Sequence, residues 1–419
     1  MAATQGFKEG SLLILPALSW PIQRSSLRTA YRPTIQAVLQ KFAGVIRDGQ
    51  AIARLDVALV LTSSYLVSPN VSRAAMFTQV QALFEETYSL ICVVAAQEKL
   101  ELDFPGGIDV RIFLLEPRSE GKLGDVLGKQ SLSGPLIDVQ TFATSGRQYA
   151  SWYVAEGEDG AAAHEAVLKP FWSRGHITPR VERLPYGTAI VSATAATEAA
   201  NSSIAADINS KESTASSYST HTSVAVGGTF DHLHIGHKLL LSTTVFIPEP
   251  TASEPRQITI GITGDELLVN KKFASQVESW EARQAETAAF VESILVFAPD
   301  VPSIKTTKAK NEPGPNGKAI LVHYGNDLTI NYCQINDPFG PTITDETISA
   351  LIISKETRAG GKAVNDKRSE KGWKELEVFE VDVLDASEEQ DEATKTESFE
   401  AKISSTEIRR RLAERAPKI

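Results

Sequence analysis

The stretch Val224 to Leu241, VAVGGTFDHLHIGHKLLL, constrains this chain more than any other. An apolar, strand-like run ends in two glycines, passes a threonine and three closely spaced histidines, and enters a leucine-rich, helix-like run. Gly227 and Gly228 permit a tight turn and a close approach of a ligand to the backbone. Thr229 supplies a hydroxyl at the strand end, and His234 and His237 flank Gly236 where the helix begins. A helix N-terminus presents unpaired N–H groups and a partial positive charge, so the arrangement suits a phosphate. Directed side-chain donors add charge-assisted contacts of roughly 1.5 to 3 kcal/mol each. The same His-x-His-x-x-His spacing offers metal ligands, but neither cysteine is near and the glycines would then have no role, so no protein-held metal is expected. His232 reads as a packed or solvated histidine.

The rest of the chain supplies a scaffold for such a turn. At roughly 100 to 200 residues per domain, 419 residues make two or three domains. The clearest boundary runs from 191 to 222, where Ser, Thr and Ala dominate and large apolar residues nearly vanish. Such a segment buries too little apolar surface to offset its ordering entropy, so it reads as a linker between residues 1–190 and 223–419. Residues 385–400 form a second polar, acidic insertion.

Before the linker, Leu55 to Leu61 and Ile108 to Leu115 are β-branched-rich strands, with helical spacing between Ser72 and Gln97. After it, strands are expected at 223–227, 257–262, 319–324, 350–354 and 376–383, and helices at 235–247, 281–296 and 405–415. The fold class is α/β: a Rossmann-like, mainly parallel sheet in the second domain, preceded by a separate α/β domain. Ligands of such sheets bind outside the carboxyl ends of the strands.

Composition excludes other classes. The net charge of −10 leaves no general basic footprint, so no nucleic-acid partner is expected. No run approaches the roughly 18 apolar residues of a spanning helix, so no membrane is expected either. Leu12 to Leu15 is too short for a secretory core and follows Lys8-Glu9. Arg24, Arg28 and Arg32 give a faint organellar-targeting flavour, but a cytoplasmic location is the default expectation. Two cysteines, Cys92 and Cys333, make no disulfide framework.

Gly-Thr-Phe-Asp followed by His-x-Gly-His resembles the first signature of the adenylyl- and cytidylyltransferase superfamily. Near the C-terminus, Ile403-Ser404-Ser405-Thr406-Glu407-Ile408-Arg409 resembles its second. Alone, Ser-Ser-Thr is also a plain helix N-cap; the pairing of two motifs about 170 residues apart gives the signal its specificity. Between them, Asp337-Pro338-Phe339-Gly340-Pro341 and Ile353 to Gly361 (ISKETRAGG) closely resemble the eukaryotic pantetheine-phosphate adenylyltransferases of coenzyme A synthesis. The resemblance covers about 223 to 415 and says little about residues 1–190.

The resemblance implies substrates, roles and a cofactor. ATP and 4′-phosphopantetheine would be the substrates. Thr229 would orient the attacking phosphate, His237 would contact the α-phosphate, and His234 would support the nucleotide phosphates beside Gly228 and Gly236. Ser404, Ser405, Thr406 and Arg409 would hold the β- and γ-phosphates, and Arg358 another phosphate oxygen. A phosphate-binding lysine would be Lys271 or Lys272, with the register undecided and Lys272 a candidate for the catalytic one. Mg²⁺ would enter with ATP rather than in a protein cage. No Gly-x-x-x-x-Gly-Lys-Ser/Thr is present, and Gly124 to Gln130 has the wrong spacing, so a monofunctional, fungal-type arrangement is expected. Nicotinamide mononucleotide adenylyltransferases, cytidylyltransferases and a non-enzymatic scaffold for other coenzyme A enzymes are the alternatives.

Overall fold

In the first half of the chain, short apolar runs form strands wherever they can be covered on both faces. The computed structural model describes residues 10–18, 22–46, 52–61, 72–103, 107–117, 134–173, 180–187, 219–251, 254–297, 301–314, 316–325, 327–382 and 404–415. The 385–400 insertion, the Gly124 to Gln130 look-alike, Ile403 and all but the last residues of the 191–222 linker lie outside them.

The first half contains β1 (Gly10–Pro16), α1 (Arg24–Ile46), β2 (Ala53–Val60), α2 (Arg73–Gln97), β3 (Ile108–Glu116), β4 (Leu136–Asp138), α3 (Val139–Thr144), β5 (Tyr149–Ala155), α4 (Gly157–Ser173) and β6 (Arg180–Leu184). The Leu12 to Leu15 run is fully buried at the centre of a six-stranded sheet ordered β4-β3-β2-β1-β5-β6. Every pairing in that sheet is parallel. The chain winds outward from β1 in both directions, which makes the first half doubly wound.

The second half contains β7 (Ser223–Gly228), α5 (Ile235–Phe246), β8 (Arg256–Thr263), α6 (Trp280–Leu295), β9 (Lys305–Asn311), β10 (Lys318–Tyr324), β11 (Leu328–Ile335), β12 (Ala350–Ser354), α7 (Arg358–Glu370), β13 (Glu377–Val381) and α8 (Ser405–Arg415). Its seven strands run β13-β12-β7-β8-β11-β10-β9. Strands β11, β8, β7, β12 and β13 are parallel, and β9 and β10 extend the sheet antiparallel. The chain order reverses between β7 and β12, so the ligand crevice of such a sheet opens beyond Gly228 and Ser354. The α/β, mainly parallel architecture read from the sequence is therefore present. Strands β9 and β11 and helix α7 were not anticipated: β9 is almost wholly exposed and lysine-rich, and β11 (LTINYCQI) mixes polar and apolar residues without the continuous apolar run of its neighbours.

The two halves share one continuous apolar core, with Val80, Phe84 and Ile91 of α2 in the same cluster as Leu239, Leu241 and Val245 of α5. Beyond α6, Phe297 is fully buried among Phe113 and Phe142 of the first half. The Arg147 guanidinium lies 3.8 Å from the centre of its ring. Burying a Phe against its alternative in water stabilises by roughly 1.5 to 3 kcal/mol. A chain beginning at Ser219 would expose this face, and it is expected to be aggregated or insoluble. Recovery of a monodisperse, cooperatively folded fragment on size exclusion and thermal melting would contradict the shared core.

Candidate active site

The crevice at the β7/β12 switch is a cavity of about 760 Å³. The first motif builds one wall. Strand β7 ends at Gly228, where an added Cβ would sit 2.9 Å from the Phe230 ring, so only glycine fits. The chain then turns through Phe230 and His232, both at positive φ (50° and 46°). Such backbone is costly for non-glycine residues and persists where its surroundings enforce it. His234 caps α5, its Nδ1 accepting from the Gly236 N–H at 3.2 Å. The His234 and His237 rings stack with centroids 3.9 Å apart. A Cβ on Gly236 would press on the His234 ring at 3.1 Å.

Burial, reinforced by the neighbouring His237, His232 and Lys238, holds His234 well below the usual imidazole range. Burial pushes His237 down to about 4, against the pull of Asp231 and with the help of His232 and Lys271. Both rings are therefore neutral at pH 7 and can donate one proton each without carrying a charge. The Nδ1 of His237 is buried and has no hydrogen-bond partner among the described residues. A buried polar atom left open in this way is suited to a ligand.

The C-terminal motif forms the facing wall. Ser404, Ser405, Thr406 and Arg409 line the cavity together with Gly228, Thr229, His234, Gly236, His237 and Lys271. The Ser404 hydroxyl also caps α8, accepting from the Glu407 N–H at 3.3 Å. Three of the five N–H groups of Arg409 are engaged by the protein. Its Nη1 pairs with Asp231, its Nε donates to the Lys272 carbonyl at 3.0 Å and its Nη2 to Thr406 Oγ1 at 3.1 Å. Arg409 thus ties the second motif to the first, a role the motif alone did not suggest.

Two other expected residues fall outside the cavity wall. Lys271 lines the cavity, whereas Lys272 does not and meets the site through its backbone. Arg358 is exposed, and its Nε donates to Glu380 at 2.6 Å. The pair would have to open for Arg358 to reach a phosphate, because its position at the start of α7 points it along the β13 edge strand. Gly360 and Gly361, in the same block, do line the cavity.

Sequence reading missed Arg283. It is fully buried and donates to the carbonyls of Glu278 (2.9 Å), Thr229 (2.7 Å) and Thr263 (2.8 Å) and to Asp265 (2.6 Å). One guanidinium therefore fixes the end of β7, the end of β8 and the loop between β8 and α6. The helical period carried the signal: Trp280, Arg283, Thr287, Phe290, Val291 and Ile294 share the buried stripe of α6. A charged residue on that stripe must be satisfied inside.

Asp231, His232 and Glu278 bring possible metal-ligand atoms within 4.8 Å of one another. Protein groups already engage them. Asp231 accepts from Arg409 and the Glu278 N–H, His232 Nε2 meets the Gln276 carbonyl, and Glu278 accepts from the His232 N–H.

The Cytidylyltransferase-like family matches residues 225–411. A family described as Domain of unknown function (DUF8446) matches residues 1–190. Residues 225–411 are thus similar to a cytidylyltransferase-like, Rossmann-type domain. An uncharacterized protein of Schizosaccharomyces pombe is 34% identical over 46% of this chain and 49% of its own length. The phosphopantetheine adenylyltransferase of Saccharomyces cerevisiae is 34% identical over 45% and 48%, and that of Pyrobaculum aerophilum 27% identical over 45% and 89%. The chain spans about half the length of the two fungal relatives.

Two outcomes are expected. Asp231→Asn leaves a buried guanidinium without its counter-charge and should cost about 3 to 5 kcal/mol by chemical denaturation. An unfolded chain binds more protons at His237 than the folded one between pH 6.5 and about 4. The contribution of that site is therefore complete above pH 6.5 and is lost as pH falls toward 4. His237→Gln should flatten that part of the stability–pH curve, and urea titrations at stepped pH measure it.

Proposed function

We propose that this protein transfers the adenylyl group of ATP to 4′-phosphopantetheine, giving dephospho-coenzyme A and pyrophosphate. The observation that carries the reading is the meeting of the two motifs, distant in sequence, on one cavity at the sheet's switch point. The similarity to phosphopantetheine adenylyltransferases supports the choice of acceptor.

The acceptor's phosphate oxygen attacks the α-phosphorus of ATP, the bond from that phosphorus to the bridging oxygen of the β-phosphate breaks, and pyrophosphate leaves with the electron pair. No protein nucleophile is required. The chain supplies position and preorganised donors. His237 donates to the α-phosphate oxygens, where negative charge is redistributed in the transition state. Thr229 and Lys271 hold the attacking phosphate. His234 and the α5 N-terminus, with Ser405 and Thr406 at the start of α8, hold the phosphates that depart. Mg²⁺ brought by ATP would supply charge neutralisation at its phosphates, and Asp231, the carboxylate nearest the turn, is engaged by the Glu278 N–H and Arg409. A cytoplasmic setting fits this chemistry, and other coenzyme A enzymes are candidate partners.

Pyrophosphate release should require ATP and 4′-phosphopantetheine together. Release with ATP and nicotinamide mononucleotide, or with CTP and a phosphorylated alcohol, would assign a sister activity instead, and no release with any pair would leave a scaffold. His237→Ala should lower kcat by roughly 100-fold or more, the scale of one lost transition-state donor; an unchanged kcat removes the role assigned to it.

A further inference from the structure

From a single turn the first half of the chain contacts both helices that carry the cavity's motif residues. Between α2 and β3, Glu101 and Asp103 stand two residues apart. The Asp103 N–H donates to the Ile108 carbonyl and the Ile108 N–H to the Glu101 carbonyl, both at 3.0 Å. Asp103 takes a positive φ of 58°, a conformation that aspartate adopts more readily than bulkier residues.

Asp103 accepts from the ammonium of Lys238, the residue that follows His237 on α5. Lys238 is 3% exposed, and it also donates to Asp109 at 2.6 Å and to the Val110 carbonyl at 3.2 Å. Glu101 accepts from Arg411, two residues beyond Arg409 on α8, at 3.0 Å. One short acidic turn therefore grips the helix behind the first phosphate cradle and the helix behind the second.

We propose that Glu101 and Asp103 are positioning residues for adenylyl transfer: they set the separation of α5 and α8, and with it the fit of both cradles to one triphosphate. The inference rests on the function proposed above. Energy decides how the two contacts divide the work. The Lys238 contacts are buried, and a lysine left there without its carboxylates cannot be solvated. The Glu101–Arg411 pair is half-exposed and contributes weakly by itself, but it is the link that reaches α8. A displacement of about 1 Å in a positioned group can cost up to roughly 100-fold in rate.

The test compares full-length protein with its Glu101→Gln, Arg411→Gln, Arg411→Lys and Asp103→Asn variants. Each is assayed for pyrophosphate release and, by calorimetry, for affinity toward inorganic tripolyphosphate. Asp103→Asn is expected to lower kcat roughly 10- to 100-fold. Glu101→Gln and Arg411→Gln should each weaken tripolyphosphate binding and raise the KM for ATP roughly 2- to 5-fold, with Arg411→Lys restoring both. The exposed variants keep the buried contacts, so they report even if Asp103→Asn does not fold. Active wild type with unchanged KM, kcat and tripolyphosphate affinity in Glu101→Gln and Arg411→Gln would overturn the clamp while leaving the proposed reaction standing. Inactive wild type would overturn the reaction, and the tripolyphosphate affinities would then decide the clamp alone.

Discussion

The buried pair between Asp231 and Arg409 holds the two motifs of the second half together. It joins residues 178 positions apart, and both side chains are almost completely removed from water. Charges so placed are tolerated only when their remaining hydrogen-bonding capacity is used. Here Asp231 also accepts from the Glu278 N–H, and Arg409 also reaches the Lys272 carbonyl and Thr406. The first motif, the loop before α6 and the second motif are thereby fixed to one another. The strained backbone at Phe230 and His232 persists because this network over-determines it.

Around that pair the site separates two electrical tasks. Permanent charge is placed at the edges, on Lys271 and inside the network on Arg283 and Arg409. The groups nearest the first cradle are neutral imidazoles, kept so chiefly by burial. A neutral donor can follow charge that develops during a reaction without repelling the cationic groups around it. The helix termini add field that needs no titratable group.

The two halves of the chain are doubly wound sheets of related topology, but they contribute differently. In the second, the switch-point crevice is the cavity itself. The first contributes its α2–β3 side, where Phe77 packs 4.9 Å from Phe379 of β13 and Arg73 donates to the carbonyls of Phe246 and Pro248 at the end of α5. Its apolar surface is continuous with the core of the second half.

The sequence by itself determined the α/β class, the strand–turn–helix at Val224 to Leu241 and the small-hydroxyl start of the helix at Ser405. Each depends on local order: apolar period, paired glycines, small hydroxyls before a helix. It also carried, unread, the place of Arg283 on a buried helical stripe. Only the tertiary structure decided which of two adjacent lysines faces the cavity, that Arg358 turns to Glu380, and that Arg409 is occupied by Asp231. Those outcomes depend on which distant group lies within hydrogen-bonding reach, and a linear pattern holds no such distances. The embrace of α5 and α8 by Glu101 and Asp103 is of the same kind, since two acids in a surface-like turn acquire meaning only when packing brings Lys238 and Arg411 to them.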